Sequence, residues 1–508
     1  MALFLPPERS IGRGEIAESH IEAPFIALFM LLSAFALVGF HAYVQNPSYT
    51  AALAVSMLVF GVTIIRVEYG LYILVIAMLM SPEIQAGSVG ARNERTINLR
   101  YDDVLIGIIF LAVLVRQAFE RRPLIYRNSP INSGIFLYYL VCILSTLGAL
   151  RMSVPAWDRS VAFFVMAKML EFYMIFFMVG VAIRDREEVR RQLTVFFFVS
   201  VLVCAYAIMS IGTTSRVSAP FDSGGTEPNT LGGYLTIIIC VALGLFVYAP
   251  TRRKKYLFAL LALLAFIPFI MTLSRASYIA LLVAMTTLSI VGRQRIIIAA
   301  VALILILSPL LMPQDVKDRV NYTFQRGTGV PISIPGIDAD LQVDKSTYER
   351  IYIWQKVRFN LGVWPWLGGG ISWENVLDSQ FARILIETGI LGFTAFAFLL
   401  FQIMRTTRQA FRWSRDWMLK GLSLGMVATT VGLIVHGMGT ISFLIVRIME
   451  PFWFLLALCV VARHIALEEY GLRLREYYAA LQREQELAGV VTLETIPQPD
   501  REKVDRAA

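Results

Sequence analysis

The chain has 508 residues, of which 57% are hydrophobic and 16% charged, and its mean hydropathy is +0.64. Soluble domains carry about 25% charged residues, so this composition excludes a soluble enzyme and a disordered chain. The apolar residues form long runs instead of alternating strands, which excludes a β-barrel. The net charge of +9 does not indicate nucleic-acid binding, because membrane proteins collect Lys and Arg in cytoplasmic loops.

Apolar runs recur from residue 24 to residue 463, and each is long enough to cross a hydrocarbon core of about 30 Å as a helix. We therefore predict an all-α polytopic membrane protein with about fourteen transmembrane helices. The N-terminal residues are polar and predict no cleaved signal peptide. The predicted spans are 24–41, 50–65, 67–82, 102–117, 131–150, 159–183, 192–213, 229–249, 255–273, 276–291, 295–312, 384–404, 418–437 and 443–462.

The basic clusters predict the orientation of these spans. In this arrangement they all fall on one side of the membrane, which the positive-inside rule makes cytoplasmic. Both termini, 1–23 and 464–508, are then cytoplasmic, and the loops 83–101, 214–228 and 313–383 are external, or periplasmic in a Gram-negative cell. The clusters are Arg121/Arg122/Arg127, Arg184/Arg186/Arg190/Arg191, Arg252/Arg253/Lys254/Lys255, Arg293/Arg295 and Arg405/Arg408/Arg412/Arg415.

The segment 313–383 separates eleven predicted spans in 24–312 from three in 384–463 and is much longer than a connector requires. Ser346 and Glu349 form a capping box, so we predict an amphipathic helix at 346–360. We expect its apolar face to contain Ile351, Trp354, Val357 and Phe359. The preceding residues are rich in Gly, Pro and Asp and predict irregular loop, while a turn rich in Trp and Gly follows the helix.

Three external segments contain arginines that the positive-inside rule does not explain. Arg216 lies in the loop before Pro228-Asn229 and is either solvated or functional, while Asn229 is predicted to cap the next helix. Arg275 follows Ser274 between two spans and either reaches the headgroups or faces an anion. The third segment contains Arg350, Arg358, Asp378, Arg383 and Glu387.

In their order and sidedness these segments resemble the superfamily of O-antigen ligases and O-antigen polymerases, which are integral membrane glycosyltransferases of GT-C-like architecture. The resemblance covers residues 216–405. It includes Arg216 with Pro228-Asn229, the pair Ser274-Arg275, Arg350 with Trp354, the Gly-rich turn at 367–370, and the block DSQFARILIETG at 378–389, in which Leu385, Glu387 and Gly389 fit the family spacing.

The resemblance implies transfer of glycan from a polyprenyl pyrophosphate carrier, such as an undecaprenyl-pyrophosphate-linked oligosaccharide, to an acceptor glycan at the periplasmic face of the inner membrane. It implies no metal and no cofactor, and partners among polysaccharide-assembly proteins. Arg216, Arg275 and Asp378 would be catalytic. Arg350, Arg383, Trp354, Glu387 and Asn229 would bind substrate.

Asp378 departs from the family pattern, because the ligases have His at this position. This favours a polymerase that joins repeat units, with a ligase acting on lipid A core or protein as the alternative. Asp378 could also cap the following helix, alone or in addition. A flippase or transporter is the alternative from another class, although its charges would lie near the midplane.

Other candidates have two interpretations each. Asp338, Asp340 and Asp344 are solvated acids or a metal site. His436 is a buried hydrogen-bonded residue or a replacement base, and Arg383 pairs with Glu387 or binds substrate. We also predict an intramembrane ion pair between Lys168 and Glu171. Arg447 in the last span could face the same cavity as this pair, and Arg100, Asp102 and Asp103, which open the span 102–117 on the external side, could shape a lipid entrance. Trp364, Trp366 and Trp373 could stack on sugars or anchor the loop at the interface.

Overall fold

The computed structural model describes residues 32–33, 36–38, 40, 47–81, 83–89, 95–119, 129–150, 159–211, 217, 228–294, 330–334, 337–343, 345–373 and 379–487. Most of the described residues are helical. The predicted span 295–312 lies outside these ranges, as does most of the span 24–41.

Thirteen helices are defined in the described ranges, and apolar segments of the sequence account for most of them. They are α1 (Pro47–Ile65), α2 (Val67–Met80), α3 (Tyr101–Phe119), α4 (Pro130–Leu150), α5 (Arg159–Ala182), α6 (Arg186–Met209), α7 (Pro228–Tyr248), α8 (Arg252–Met271), α9 (Arg275–Val291), α10 (Lys345–Val363), α11 (Gln380–Trp413), α12 (Trp417–His436) and α13 (Val446–Leu487). Every predicted span from 50–65 to 276–291, and each of the last three, has a helix at its position.

Eight helices of the described part are long and apolar enough to cross a membrane, namely α4 to α8 and α11 to α13. Three shorter apolar helices accompany them, at Tyr49–Ile65, Val67–Met80 and Arg275–Val291. The chain is therefore a helical membrane protein of the multi-pass kind.

The chain divides into two compact units, Met1–Gly70 with Ile108–Leu124, and Leu71–Gly107 with Ile125–Ala508. In the first unit, Arg116 donates hydrogen bonds to the carbonyl oxygens of Ile64 and Ile65, at 3.4 and 2.9 Å, and so joins the ends of two helices. All other features described below belong to the second unit.

The core of the second unit is built around α7, which packs against α8, α9 and α12. Small residues allow the close approach of α7 and α12, as is common between membrane helices. A Cβ atom at Gly425 would lie 2.5 Å from the Cα of Val241, and one at Gly244 would lie 2.3 Å from the carbonyl oxygen of Gly421. The backbones of α7 and α12 are consequently almost in direct contact.

Two antiparallel hairpins lie between the helices. β1 (Glu83–Val89) pairs with β2 (Arg95–Arg100), and β3 (Val330–Ile334) pairs with β4 (Ile337–Val343). The prediction of irregular loop is wrong for the second hairpin. Its cross-strand pairs Val330–Val343 and Ile332–Leu341 join residues that favour strands, and the Pro-Gly sequence between the strands is typical of a tight turn.

Helix α10 is present as predicted, but its buried face differs from the prediction. Ile353 and Val357 pack against Ala382 and Ile386 of α11, whereas Trp354 and Phe359 are 51% and 73% exposed. Residues 353 and 357 are four apart and share one face, while the predicted set mixes two faces. The docking of α10 therefore holds this helix against the first turns of α11.

Candidate functional site

Four helix ends that are distant in sequence meet at one end of the second unit. Helices α7, α9 and α11 begin there, at Pro228, Arg275 and Gln380, and α12 ends there at His436. Hydrogen bonds from α9 to α7 and α12, and from α11 to the loop after α12, join these ends. We call this region the motif end, because it gathers the segments singled out in the sequence.

Ser274 connects α9 to α7. Its hydroxyl donates to Oδ1 of Asn229 at 2.7 Å, and it accepts from the backbone N–H of Ser277 as the N-cap of α9. Asn229 is therefore no N-cap, because α7 begins at Pro228, a residue well suited to the first helical position. The next residue after Ser274 is the half-buried Arg275, so this hydrogen bond fixes the backbone of Arg275 relative to α7.

His436 continues the same hydrogen-bond chain. It is fully buried, with Nε2 2.9 Å from Oγ of Ser277 and Nδ1 2.7 Å from Oγ of Ser442. The Ser277 hydroxyl donates to Ser274 at 2.8 Å, so the proton of the imidazole belongs on Nε2 and Ser442 donates to Nδ1. The interpretation of His436 as a buried hydrogen-bonded residue is confirmed, because each ring nitrogen makes a hydrogen bond with a serine hydroxyl.

The beginning of α11 is held by the loop after α12. The backbone N–H of Gln380 donates to the carbonyl oxygens of Gly437 and Thr440, at 2.9 and 3.3 Å, and Oε1 of Gln380 accepts from the N–H of Phe443. Ser379 is the N-cap and makes no side-chain capping bond. Backbone carbonyl oxygens therefore take the place of a Ser379 side-chain cap at the start of this helix, and Asp378, the predicted cap, lies outside the described residues.

Glu387 is the centre of a second set of contacts, one helical turn beyond Arg383. Its Oε1 accepts from Nε of Arg383 and from the N–H of Ser372, each at 2.9 Å. The predicted pair of Arg383 and Glu387 is confirmed. Glu387 is only 3% exposed, and its bond to Ser372 ties the segment just after the Gly-rich turn to α11.

The Gly-rich turn lies directly on a break in α11. Gly389 has φ 65° and ψ −160°, and the N–H groups of Gly369 and Gly370 donate to the carbonyls of Ile386 and Glu387, each at 2.9 Å. The Ser145 hydroxyl of α4 lies 2.6 Å from the carbonyl oxygens of both Leu367 and Glu387. These contacts explain why glycines recur on both sides of the junction.

The tryptophans of this region differ in their surroundings. Trp373 packs against the cluster formed by α10 and α11 and covers Gly369, whereas Trp366 is 63% and Trp364 37% exposed. The rings of Trp364 and Trp366, like that of Trp354, are therefore exposed. Trp373 is part of the packing of the turn.

The structure brings Asn229 and the backbone of Arg275 together at the motif end, and it pairs Arg383 with Glu387 on the helix that begins there. Arg216 and Asp378 lie outside the described residues, and so does the side chain of Arg350, whose backbone belongs to α10. Asp344 and the side chains of Asp338 and Asp340 also lie outside that part.

A buried ionic cluster joins α3, α5 and α13. Arg100 pairs with Asp102 at 2.8 Å, and Lys168 contacts Asp103 and lies 3.3 Å from Glu171. The predicted pair of Lys168 and Glu171 is confirmed. The group of charges around this pair is larger than predicted, because the carboxylate of Asp103 contacts the same ammonium group.

Glu450 of α13 belongs to this cluster and was missed in the sequence. It is fully buried, and its carboxylate lies near those of Asp102 and Asp103, with one oxygen of each within 4.8 Å of the others. Neither oxygen of Glu450 receives a hydrogen bond within the described residues. The available signal was an acidic residue inside a predicted span, where a charge is costly without a partner.

Comparison with models of known protein families finds no match to this chain, and comparison with curated proteins finds none either.

Proposed function

We propose that this protein is a membrane glycosyltransferase that polymerises or transfers glycan repeat units carried on a polyprenyl pyrophosphate, without a metal ion. The observation that carries the proposal is the convergence at the motif end. Asn229, Ser274 with Arg275, and the helix containing Arg383 and Glu387 come from separate parts of the chain and meet through hydrogen bonds. The same segments carry the resemblance to O-antigen polymerases.

The proposed reaction forms a bond between an acceptor hydroxyl oxygen and the anomeric carbon, and breaks the bond from that carbon to the pyrophosphate. The departing pyrophosphate takes the bonding electrons, and the acceptor hydroxyl loses a proton. Arg216 and Arg275 would stabilise the leaving group, because guanidinium groups stay charged and bind phosphate oxygens in pairs. Asp378 would accept the proton.

The remaining residues would position the substrates. Arg350 and Arg383 would hold phosphate or acceptor, with Glu387 orienting Arg383 through the 2.9 Å ion pair. The exposed Trp354 would stack on a sugar ring, and Asn229 would fix the helix end that carries Arg275. His436 is excluded as the base in this proposal, since it is buried and both ring nitrogens are engaged.

The proposal includes a topology of fourteen spans in the bacterial inner membrane, with both termini cytoplasmic and the loop 313–383 periplasmic. The motif end would then face the periplasm. It lies opposite the end where basic residues open α6 and α8, as the positive-inside rule expects.

The test is reconstitution of the purified protein with a lipid-linked repeat unit. Longer lipid-linked glycans support a polymerase, and glycan that forms only when lipid A core or protein is added supports a ligase. Transport of the lipid-linked unit across the bilayer without any new glycosidic bond contradicts both.

Replacement of Arg275 by Ala tests the assignment of this residue. We expect a loss of transfer by roughly 10²- to 10³-fold, the usual effect of removing one charge that stabilises a transition state. Arg275→Lys should recover little, because an ammonium group lacks the planar fork. The matched control is Arg358→Ala on the exposed face of α10, which should keep activity. Wild-type transfer in Arg275→Ala would remove the central catalytic assignment.

A transporter of lipid-linked glycan is the second candidate, and the buried ionic cluster favours it. Lys168 lies well inside α5, and Glu450 is fully buried in α13, whereas the proposed transfer reaction uses neither residue. Intramembrane charges of this kind mark substrate or proton pathways in transporters. Loss of translocation in Glu450→Gln, with transfer in detergent unchanged, would favour the transporter.

A further inference from the structure

An apolar groove lies between α6 and α8, and residues of α7 and α12 complete its lining. Its volume is 480 Å³, and its walls are mainly Leu, Phe and Val side chains. Several of these side chains are widely exposed, including Phe198 at 64%, Leu257 at 61% and Leu260 at 62%. The groove therefore opens sideways toward the surroundings of the helices.

The length of the groove matches one leaflet of a bilayer. Along α6 it extends from Arg190 to Val201, and along α8 from Lys254 to Leu264. At a rise of 1.5 Å per residue these stretches are roughly 15–17 Å long. Half of a hydrocarbon core of about 30 Å is the same distance. One acyl chain that starts at Arg190 and Lys254 would reach the middle of the membrane at Val201 and Leu264.

The mouth of the groove is strongly basic. Arg190, Lys254 and Trp417 line it, and the ammonium group of Lys254 lies 4.5 Å from the ring centre of Trp417. The first turn of α8 contains four basic residues, 252–255, and no acidic one. Cations at a helix N-terminus oppose the helix dipole, so this turn gains from a nearby anion.

One acidic group is already close to the mouth. Nη1 of Arg190 donates to both carboxylate oxygens of Glu187, at 3.0 and 3.2 Å, but Glu187 does not line the groove. Its side chain is 68% exposed, and such surface pairs exchange readily with other anions. The basic excess at the mouth therefore remains available to a phosphate group.

We infer that this basic groove binds an anionic phospholipid, with the phosphate at Arg190 and Lys254 and one acyl chain between α6 and α8. A zwitterionic lipid would fill the apolar part equally well but would not match the charge of the mouth. The positive-inside rule assigns this end to the cytoplasmic leaflet, where anionic lipids are enriched. The site is independent of the proposed transfer reaction, which takes place at the opposite helix ends.

The test uses Trp417 as the reporter in vesicles that contain brominated lipids, which quench tryptophan only at short range. The signal of Trp417 is the difference between the wild-type protein and Trp417→Phe. We expect brominated phosphatidylglycerol to quench this signal at a mole fraction lower than brominated phosphatidylcholine by on the order of tenfold, given two basic residues at the mouth. Equal quenching by the two lipids would overturn the inference.

Two sets of variants locate the lipid. Arg190→Gln with Lys254→Gln should abolish the preference, while Arg408→Gln with Arg412→Gln, which removes two exposed charges outside the groove, should retain it. Val201→Phe narrows the groove without changing a charge and should reduce quenching by both lipids. If the preference for phosphatidylglycerol persists in Arg190→Gln with Lys254→Gln, the lipid binds elsewhere. Full quenching of Trp417 in Val201→Phe would lead to the same conclusion.

A competition experiment separates the two sources of such a ligand. Unbrominated phosphatidylglycerol should restore Trp417 fluorescence in proportion to its mole fraction, and a polyprenyl phosphate at a much lower mole fraction should have no effect. Restoration by a trace of polyprenyl phosphate would contradict the phospholipid and make the groove a site for the carrier lipid.

Discussion

Gly389 shows how a single residue decides the geometry of the candidate site. Its backbone has φ 65° and ψ −160°, a region open almost only to glycine, and this break lets the N–H groups of Gly369 and Gly370 reach carbonyls of α11. Arg383 and Glu387 lie immediately before the break. Their position relative to the turn therefore depends on a residue without a side chain.

Replacement of Gly389 by Ala should lower the free energy of unfolding by about 2–4 kcal/mol, from backbone strain and a steric clash. The added Cβ would lie 2.5 Å from the carbonyl oxygen of Trp366. Gly148→Ala is the control, because Gly148 lies in α4 with nothing within 4 Å of its Cβ position. The control should be neutral or slightly stabilising. Equal thermal unfolding of the two variants in detergent would contradict this account.

At the scale of elements, the positions of the membrane helices could be predicted from the sequence, because a span is defined by the length and apolarity of a run of residues. The predicted spans 131–150 and 229–249 differ by one residue from α4 and α7. The buried face of α10 could not be predicted from the sequence, because its apolar residues surround much of the helix. Which of them are buried depends on the packing of α10 against α11. The hairpin β3–β4 was missed for a related reason, since its strand residues are few and lie among turn residues.

The docking of α10 on α11 predicts a contrast between two aspartate substitutions. Val357→Asp buries a charge among Ile353, Ala382 and Ile386 and should release α10, because an unpaired buried carboxylate is unfavourable. Phe359→Asp, at a position 73% exposed, should leave it docked. Hydrogen exchange of residues 345–363 is the measurement. Rapid exchange in both variants, or in neither, would show that the observed face does not hold the helix.

At the scale of the whole molecule, the candidate site depends on contacts that no local pattern reveals. The bond from Ser274 to Asn229 spans 45 positions, and that between Ser277 and His436 spans 159. The sequence indicated the segments through their unexplained arginines, but not that His436 and Ser442 complete the chain of hydrogen bonds. For the same reason the sequence did not reveal Glu450, since its role depends on the carboxylates of Asp102 and Asp103, which are more than 340 positions away in the chain.

The ionic cluster gives a prediction about the stability of the whole fold. Lys168→Met removes the ammonium group that Asp103 and Glu171 share, leaving buried carboxylates uncompensated, and should lower the free energy of unfolding by about 3–5 kcal/mol. Lys168→Met combined with Asp103→Asn should recover much of the stability, since one charge of each sign is then absent.

The matched control for this cluster is the exposed pair of Arg190 and Glu187, which has the same spacing of three residues along a helix. Arg190→Met should change the free energy of unfolding by less than about 1 kcal/mol, because water and salt screen an exposed pair. Chemical unfolding in detergent measures both variants. If Lys168→Met lowers the free energy of unfolding no more than Arg190→Met does, the cluster is not a buried ionic network in the folded protein. A large loss confined to Lys168→Met requires the first turn of α3 to fold together with α5 and α13 around these charges.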